Sequence, residues 1–473
     1  MARRSRQAKK ARAKKSAGKF AYDSVDTTGK KRRVVSTMTQ SEDDVLNTFK
    51  RRRMISSSRD LQRNFSAAGW AIRKHLDYVS TFAFQVKTAD LAFNKRAEQL
   101  FAWWSLPKNC DISGRHSLER FIRIGEQARA IDGDVLVIMT KEGYLQAVEA
   151  DRISTPTGNN TKTADGGAII NGVKVDSNGR ALEYGVSKRS PGGSSLTFDK
   201  WVSADFAHLL GYFDRYDQVR GITRMAAAIN SFQDLYEGIS YALAKAKVAQ
   251  LFGLITYRAD NGPLGAYSQN EDTDSTEYEI NFGKGPFHLD LDGGDKAEIL
   301  ESKTPSAEFQ QFTQTMIALA IKSLDIPYSF FDESFTNYSG ARQALLQYEQ
   351  SVKAKRKGVV ELLNRITAWK LTQWIASGLL KMPAGMRLSD TPWEWIPNGI
   401  PWIDPQKEMV ASALAINANV KSRQMICKIN GDDFHDVADQ LAAEKEYLES
   451  KGLSAETNVL VGAAPVENTN VED

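Results

Sequence analysis

No stretch of this sequence approaches the roughly 20 consecutive apolar residues that a membrane helix needs. The longest candidates, such as Leu251 to Tyr257, are far too short, which argues against a helical membrane pore. Cysteine is scarce. Cys110 and Cys427 lie far apart and read as reduced thiols of a cytosolic protein, not as a disulfide framework. The 5 histidines (His75, His116, His208, His288 and His435) are scattered, with no His-x-x-x-His pair and no ligand cysteine beside them, so a structural zinc site is not indicated. There is no Gly-x-x-x-x-Gly-Lys-Ser/Thr loop for a nucleotide and no Gly-x-Ser-x-Gly elbow for a hydrolase. The basic start has no apolar segment behind it and does not read as a secretory signal.

What is present is an ordinary globular composition, 42% apolar and 25% charged over 473 residues, enough for two to four domain-sized units. The net charge of +4 is unevenly spread. Arg3, Arg4, Arg6, Lys9, Lys10, Arg12, Lys14, Lys15 and Lys19 crowd the first nineteen positions without one acid. Such a block cannot bury itself, so residues 1–39 are expected to be a disordered arm. It is either a solvated tail or a contact for nucleic acid or an acidic scaffold partner.

From Ser41 to Val86 apolar residues recur at helical intervals, and helical patterns continue over Lys87–Trp104 and Ser117–Ala130. Asp134–Met139 is β-rich, and Glu142-Gly143, Asn171-Gly172 and Asn178-Gly179 are hairpin signals. A small β-rich domain is therefore expected from Asp134 to about His208. The longest regular pattern follows: Met225, Ile229, Phe232, Tyr236, Ile239 and Leu243 step by four and three, one apolar seam on a helix over about Val219–Leu251. Residues 258–304 are rich in Gly, Asn, Asp and Ser, with short β-like pieces at Tyr278–Phe282 and His288–Leu291. A second helix is predicted over Ser306–Leu324, stopped by Pro327. An aromatic loop, Tyr328–Tyr338, leads into a very long helix, Gly340–Ser377, with Gly358 as a candidate kink. Met382–Pro405 reads as a linker, followed by short helices at Pro405–Ile416, Ser422–Lys428 and Phe434–Lys451 and a disordered tail from about residue 454. The fold class is α+β, rich in helix.

Two acidic clusters invite a catalytic or metal reading. Asp290, Asp292, Asp295 and Glu301 imitate a calcium loop, but Asp295 stands where such a loop needs glycine, and a tight turn explains the run better. Asp132 and Asp134 form a possible nuclease pair, yet no third carboxylate or histidine lies near them in sequence; a turn into a strand is the simpler reading. No catalytic, metal or cofactor residue is singled out.

Taken in order, the segments resemble the lambda-type family of tailed-phage portal proteins from about Phe20 to Leu453. The resemblance rests on a colinear series: Arg59-Asp60-Leu61 with Arg63-Asn64; Val135–Ile138 with Asp151-Arg152-Ile153; Gly172-Val173, Asp176, Gly179-Arg180 and Tyr184; Gln218 with Arg220-Gly221. It continues through Ile326-Pro327-Tyr328, Asn337-Tyr338-Ser339 with Ala341-Arg342, Ile400–Pro405 and Ser422-Arg423. Gly340 departs from the family's usual small hydroxyl residue, and the basic arm and residues 258–285 are idiosyncratic.

The resemblance implies a ring, typically of twelve subunits, at one capsid vertex, passing double-stranded DNA without sequence specificity. It implies a wing (40–215), a stem helix (216–257), a clip (258–304), a second stem helix (305–327), a tunnel loop (328–340), a long wing helix with linker (341–404) and crown helices (405–453). Its implied partners are terminase, capsid and scaffold proteins and a head-tail adaptor, with no cofactor and no membrane. The implied location is the virion, after assembly in the bacterial cytoplasm. Phe330, Phe331, Asp332, Glu333, Phe335, Asn337, Tyr338 and Arg342 become tunnel-loop candidates; Phe330 and Phe331 equally suit a plug in the wing core. Arg342, poorly placed in a first helical turn, is expected to pair with Asp332 or Glu333 of its own or a neighbouring loop. A different head or connector protein and a nuclease are the alternatives.

Overall fold

A computed structural model describes residues 40–156, 160–163, 166–192, 195–251, 254–257, 296–299, 307–332, 338–399 and 404–453. In chain order the first elements are α1 (Glu42–Val45), α2 (Thr48–Asn64), α3 (Ser66–Val79), β1 (Phe82–Val86), α4 (Leu91–Trp104), α5 (Pro107–Cys110) and α6 (Leu118–Asp132). The strands β2 (Asp134–Met139), β3 (Leu145–Glu149), β4 (Thr161–Lys162), β5 (Ala168–Ile170), β6 (Val173–Val175), β7 (Ala181–Arg189), β8 (Leu196–Ser203) and β9 (Ala207–Gly211) follow. Then come α7 (Ile229–Leu251), β10 (Leu254–Tyr257), β11 (Lys296–Ile299), α8 (Ala307–Ile321), α9 (Tyr338–Ala376), β12 (Trp393–Pro397), α10 (Pro405–Asn417), α11 (Arg423–Asn430) and α12 (Phe434–Ser450). The chain divides into two units, Ala228–Ala320 and the remainder.

In the larger unit, local chemistry sets the helix ends. Asn47 caps α2 by accepting from the Lys50 N–H, and Ser117 caps α6. The buried face of α3 carries Ala68, Ala71, Ile72, Leu76 and Val79 at three- and four-residue steps, which is why it packs as a helix. The β-rich part forms two antiparallel sheets, ordered β3-β2-β9 and β4-β5-β6-β7-β8. All six residues of β2 are buried, as its continuous apolar run requires. Asn171 (φ 47°) and Gly172 (φ 87°) turn β5 into β6, the paired positive φ values that the Asn-Gly signal supplies. Leu136, Val148, Ile153, Val173 and Val186 share one core cluster. Helix α6 ends at Gly133, where the backbone crosses that of Gly221. A Cβ on Gly133 would lie 2.7 Å from the Gly221 carbonyl oxygen, so the crossing admits only glycine.

Three expectations are corrected. The helical pattern read through Val86 stops at Val79. Phe82-Ala-Phe-Gln-Val86 alternates by two and pairs as a strand with Trp393–Pro397. That pairing also overturns the linker between Met382 and Pro405: Trp395 is buried there and donates from Nε1 to Thr367 Oγ1 at 3.1 Å. Its ring packs with Phe84 and Phe101. Nor does Gly358 interrupt α9, which is one helix of 39 residues. A Cβ on Gly358 would strike the Arg129 guanidinium, which donates to the Lys355 carbonyl at 3.0 Å; the glycine makes room for that side chain.

Helices α10 to α12 match their predicted spans closely, and none of their residues is buried. Helices α11 and α12 are tied to the β1–β12 pair by charge. Lys87 bridges Glu394 at 2.7 Å and Asp433 at 3.9 Å, and Lys428 pairs with Glu394.

The smaller unit runs helix α7, strand β10, strand β11 and helix α8, with β10 and β11 antiparallel (Leu254 opposite Ile299). The helix read over about Val219–Leu251 ends as expected at Leu251 but begins only at Ile229, and the 216–257 span implied by the resemblance exceeds it at both ends. Residues 219–228 are held by side-chain hydrogen bonds of Gln218 and Arg220, and Leu-Ile-Thr-Tyr at 254–257, with β-branched residues at its centre, takes extended structure. The acidic cluster residues Asp290, Asp292, Asp295 and Glu301 and the β-like pieces at 278–282 and 288–291 lie outside the described residues, as do arm residues Arg3, Arg4, Arg6, Lys9 and Lys10.

Candidate functional site

Several residues that carry the family resemblance, among them Arg59, Ile153, Arg220 and Gly221, converge on one buried hub. Arg220 donates from Nε and Nη2 to both oxygens of Asp134 (2.7 and 2.8 Å), and both side chains are buried. The same guanidinium donates to the carbonyls of Ala150, Ile153 and Asn171. Gln218 donates to the carbonyls of Tyr212 and Arg220, and the Gly221 N–H donates to Asp134 at 2.8 Å. Arg59, from α2, grips Asp132 at 2.8 and 2.5 Å and reaches Glu149 and Asp151 at 3.3 Å. The Asp132 hydrogen bond holds the Arg59 guanidinium more firmly protonated than usual. So Asp132 and Asp134 are each neutralised by an arginine. That places them as structural clamps between α2, β2 and the turn before α7, and not as a pair free to hold a metal ion.

Beside it lies a second buried network that sequence reasoning missed. Glu126 of α6 accepts from His75 Nε2 (2.7 Å), from Tyr212 Oη (3.0 Å) and from Arg129 (3.0 Å). Burial alone would push the Glu126 carboxyl up; Arg129 and His75 outweigh it and hold the group below its usual range. Burial pushes the His75 imidazole down, so the ring is neutral and donates from Nε2. Helical spacing puts Glu126 and Arg129 three apart on α6, the one signal legible in advance.

The tunnel-loop candidates separate into groups. Phe330 stacks on Tyr78 at 6.0 Å and meets Tyr348 edge-on at 5.4 Å; Phe331 meets Trp70 edge-on at 5.3 Å. The two phenylalanines thus brace the start of the loop against α3 and α9. Asp332 accepts from Tyr328 Oη at 3.5 Å. Glu333, Phe335 and Asn337 lie outside the described residues, as does the side chain of Tyr338, which opens α9. Arg342 does not pair with Asp332 in the described structure. Its partner is Glu408 of α10, which the chain brings alongside the first turns of α9.

The seam candidates also separate. Met225, Ile229 and Phe232 are fully buried, and Leu235 nearly so. Further along α7, Tyr236, Ile239 and Leu243 are 50%, 40% and 55% exposed. On α8, Phe312 and Leu319 are each 57% exposed.

The architecture is helix-rich α+β: a helix–strand–strand–helix unit, Ala228–Ala320, interrupts in sequence a larger unit whose core is clamped by arginines. The family model for phage portal proteins of the lambda family matches residues 28–356, and the chain belongs to that family. Among relatives, it is 25% identical over 395 residues to a probable portal protein of Halomonas phage phiHAP-1, covering 77% of this chain and 73% of the relative. It is 22% identical over 449 residues to portal protein B of Escherichia phage lambda, covering 83% of each. Among solved structures, a chain from the neck of an empty gene transfer agent particle is 14% identical with TM-score 0.48, covering 79% of this chain and 93% of that one. The protein is a portal protein of a phage head, and DNA packaging is the general role of its family.

Proposed function

We propose that copies of this chain close into a ring at one capsid vertex, twelve in number by the family resemblance, and that double-stranded DNA passes through the ring without sequence readout. The observation that carries the reading is the apolar seam of α7. Its first half is buried, while Ile239 and Leu243 stand exposed four residues apart on one helix face. An exposed apolar stripe at that spacing fits a neighbouring copy. In this reading residues 216–257 and 305–327 supply the stem, 258–304 the clip, 40–215 the wing, and 405–453 the crown. Asp332, Glu333, Phe335, Asn337 and Tyr338 are the loop residues nearest the DNA, with Phe330 and Phe331 as their anchor and Arg342 linking the loop to the crown.

The chain itself carries no catalytic role in this proposal. A terminase docked on the clip supplies the hydrolysis, capsid and scaffold proteins meet the wing, and a head-tail adaptor replaces the terminase. The subunit assembles in the bacterial cytoplasm and ends in the virion. The basic arm, with Arg3, Arg4, Arg6, Lys9 and Lys10, contacts DNA or scaffold.

The test is the double variant Ile239→Asp with Leu243→Asp, examined by electron microscopy and sedimentation. Folded monomers in place of rings are expected. Normal rings from that variant would sink the stem reading. The buried positions Ile229 and Phe232 are poor probes, since Asp there would unfold the helix before it tested assembly.

A further inference from the structure

Helices α9, α10 and α11 and the β1–β12 pair enclose a groove of about 1040 Å³ within the larger unit. Its floor is apolar, with Phe82, Leu346, Val360, Met425 and Ile429. Its rim is cationic, six Lys and Arg against four Glu. Three of those cations are taken: Arg342 by Glu408, Lys353 by Glu349, and Lys428 by Glu394. Arg356 is spent on the carbonyls of Tyr78 and Asn398. Lys357 and Lys421 are exposed and have no carboxylate partner among the described residues. Glu361 stands on the same rim, also without an ion-pair partner among the described residues, so the uncommitted charges are Lys357 and Lys421 against one carboxylate. The groove offers an apolar trough with a net positive rim, a receptor for an acidic segment with a short apolar run.

This chain contains one such segment. Residues 454–473 carry Glu456, Glu467, Glu472 and Asp473 and no Lys or Arg, with Val459, Leu460, Val461 and Val466 between the acids. The arm at 1–39 has the wrong sign for this rim. Reach is sufficient. Helix α12 starts beside the groove, where Gly431 packs against Gly399 and Asn398, and its 17 residues run ~25 Å. Eight extended residues beyond Leu453 return ~27 Å, which brings Val461 level with the groove.

We infer that residues 460–472 dock into this groove of their own chain, with Leu460, Val461 and Val466 on the apolar floor and the carboxylates of Glu467 and Glu472 on Lys357 and Lys421. The inference does not rest on ring formation. Tethering makes the contact intramolecular, at an effective concentration in the millimolar range, so modest complementarity suffices.

The experiment uses the full chain with a benzophenone photo-crosslinking residue at Leu460, and maps the adducts by mass spectrometry. Cross-links to Met425, Ile429 or Leu346 in the same polypeptide are expected. Lys357→Glu with Lys421→Glu should cut their yield at least fivefold; adding Glu467→Lys with Glu472→Lys should restore at least half. Adducts elsewhere on the chain, or a yield indifferent to the charge reversals, would overturn the proposal. So would cross-links between light and heavy copies in an isotope-mixed sample, which would assign the segment to a neighbouring subunit's groove.

Discussion

Arg220→Met tests the physical claim at the centre of this fold. Methionine keeps most of the side-chain stem and removes the guanidinium. Five hydrogen bonds go with it, two to Asp134 and one each to the carbonyls of Ala150, Ile153 and Asn171. Asp134 stays fully buried, with the Gly221 N–H as its remaining donor among the described residues. Breaking a buried ion pair from one side costs about 3–5 kcal/mol, because the surviving charge is left uncompensated. That is a shift of roughly two to three and a half powers of ten in the unfolding equilibrium. Urea denaturation followed by tryptophan fluorescence measures it, with the midpoint moving and the slope unchanged. The double variant Arg220→Met with Asp134→Leu separates lost charge pairing from lost carbonyl donors. With no stranded carboxylate, it should recover about 1–2 kcal/mol relative to the single variant. A loss under about 1 kcal/mol in Arg220→Met, or a double variant no more stable than the single one, would refute the clamp argument.

Acid should destabilise the protein in two stages. His75 and His208 have folded pKa values pushed down by burial, His208 to about 4, so the unfolded chain takes up protons first and stability falls as pH drops below about 6.5. Glu126, held below 4.5, adds stability that is present above that value and lost as pH falls further. His75→Gln should therefore reduce the slope of stability between pH 6.5 and 5 by up to ~1.4 kcal/mol per pH unit, and an unchanged slope in urea midpoints would contradict it. Arg342→Ala should fold and form rings but package less than a tenth of the normal DNA, and Arg342→Glu with Glu408→Arg should restore packaging; full packaging by the alanine variant removes this pair from the mechanism. Deleting residues 2–19 should weaken DNA binding at low salt and flatten its dependence on log salt concentration, measured by filter binding or fluorescence anisotropy; an equal salt slope leaves the arm as a solubility or protein-docking element.

Much of the architecture was readable in advance because its causes are local. The caps and spacing of α10, α11 and α12, the Asn171-Gly172 turn and the apolar run of β2 each depend on residues a few positions apart, and the family itself was legible from a colinear series of such segments. The β1–β12 pair was not legible. Phe82–Val86 is five residues at the end of a helical pattern, and the strand that fixes its state lies far along the chain. Nor could periodicity show that Gly358 accommodates Arg129, or that Arg342 pairs with Glu408 far along the chain. The sequence by itself determined the helical seam of α7 as a pattern; the tertiary structure decided that Phe232 is buried while Leu243 is exposed. Periodicity reports which side chains share a face, whereas burial depends on what the returning chain places against that face.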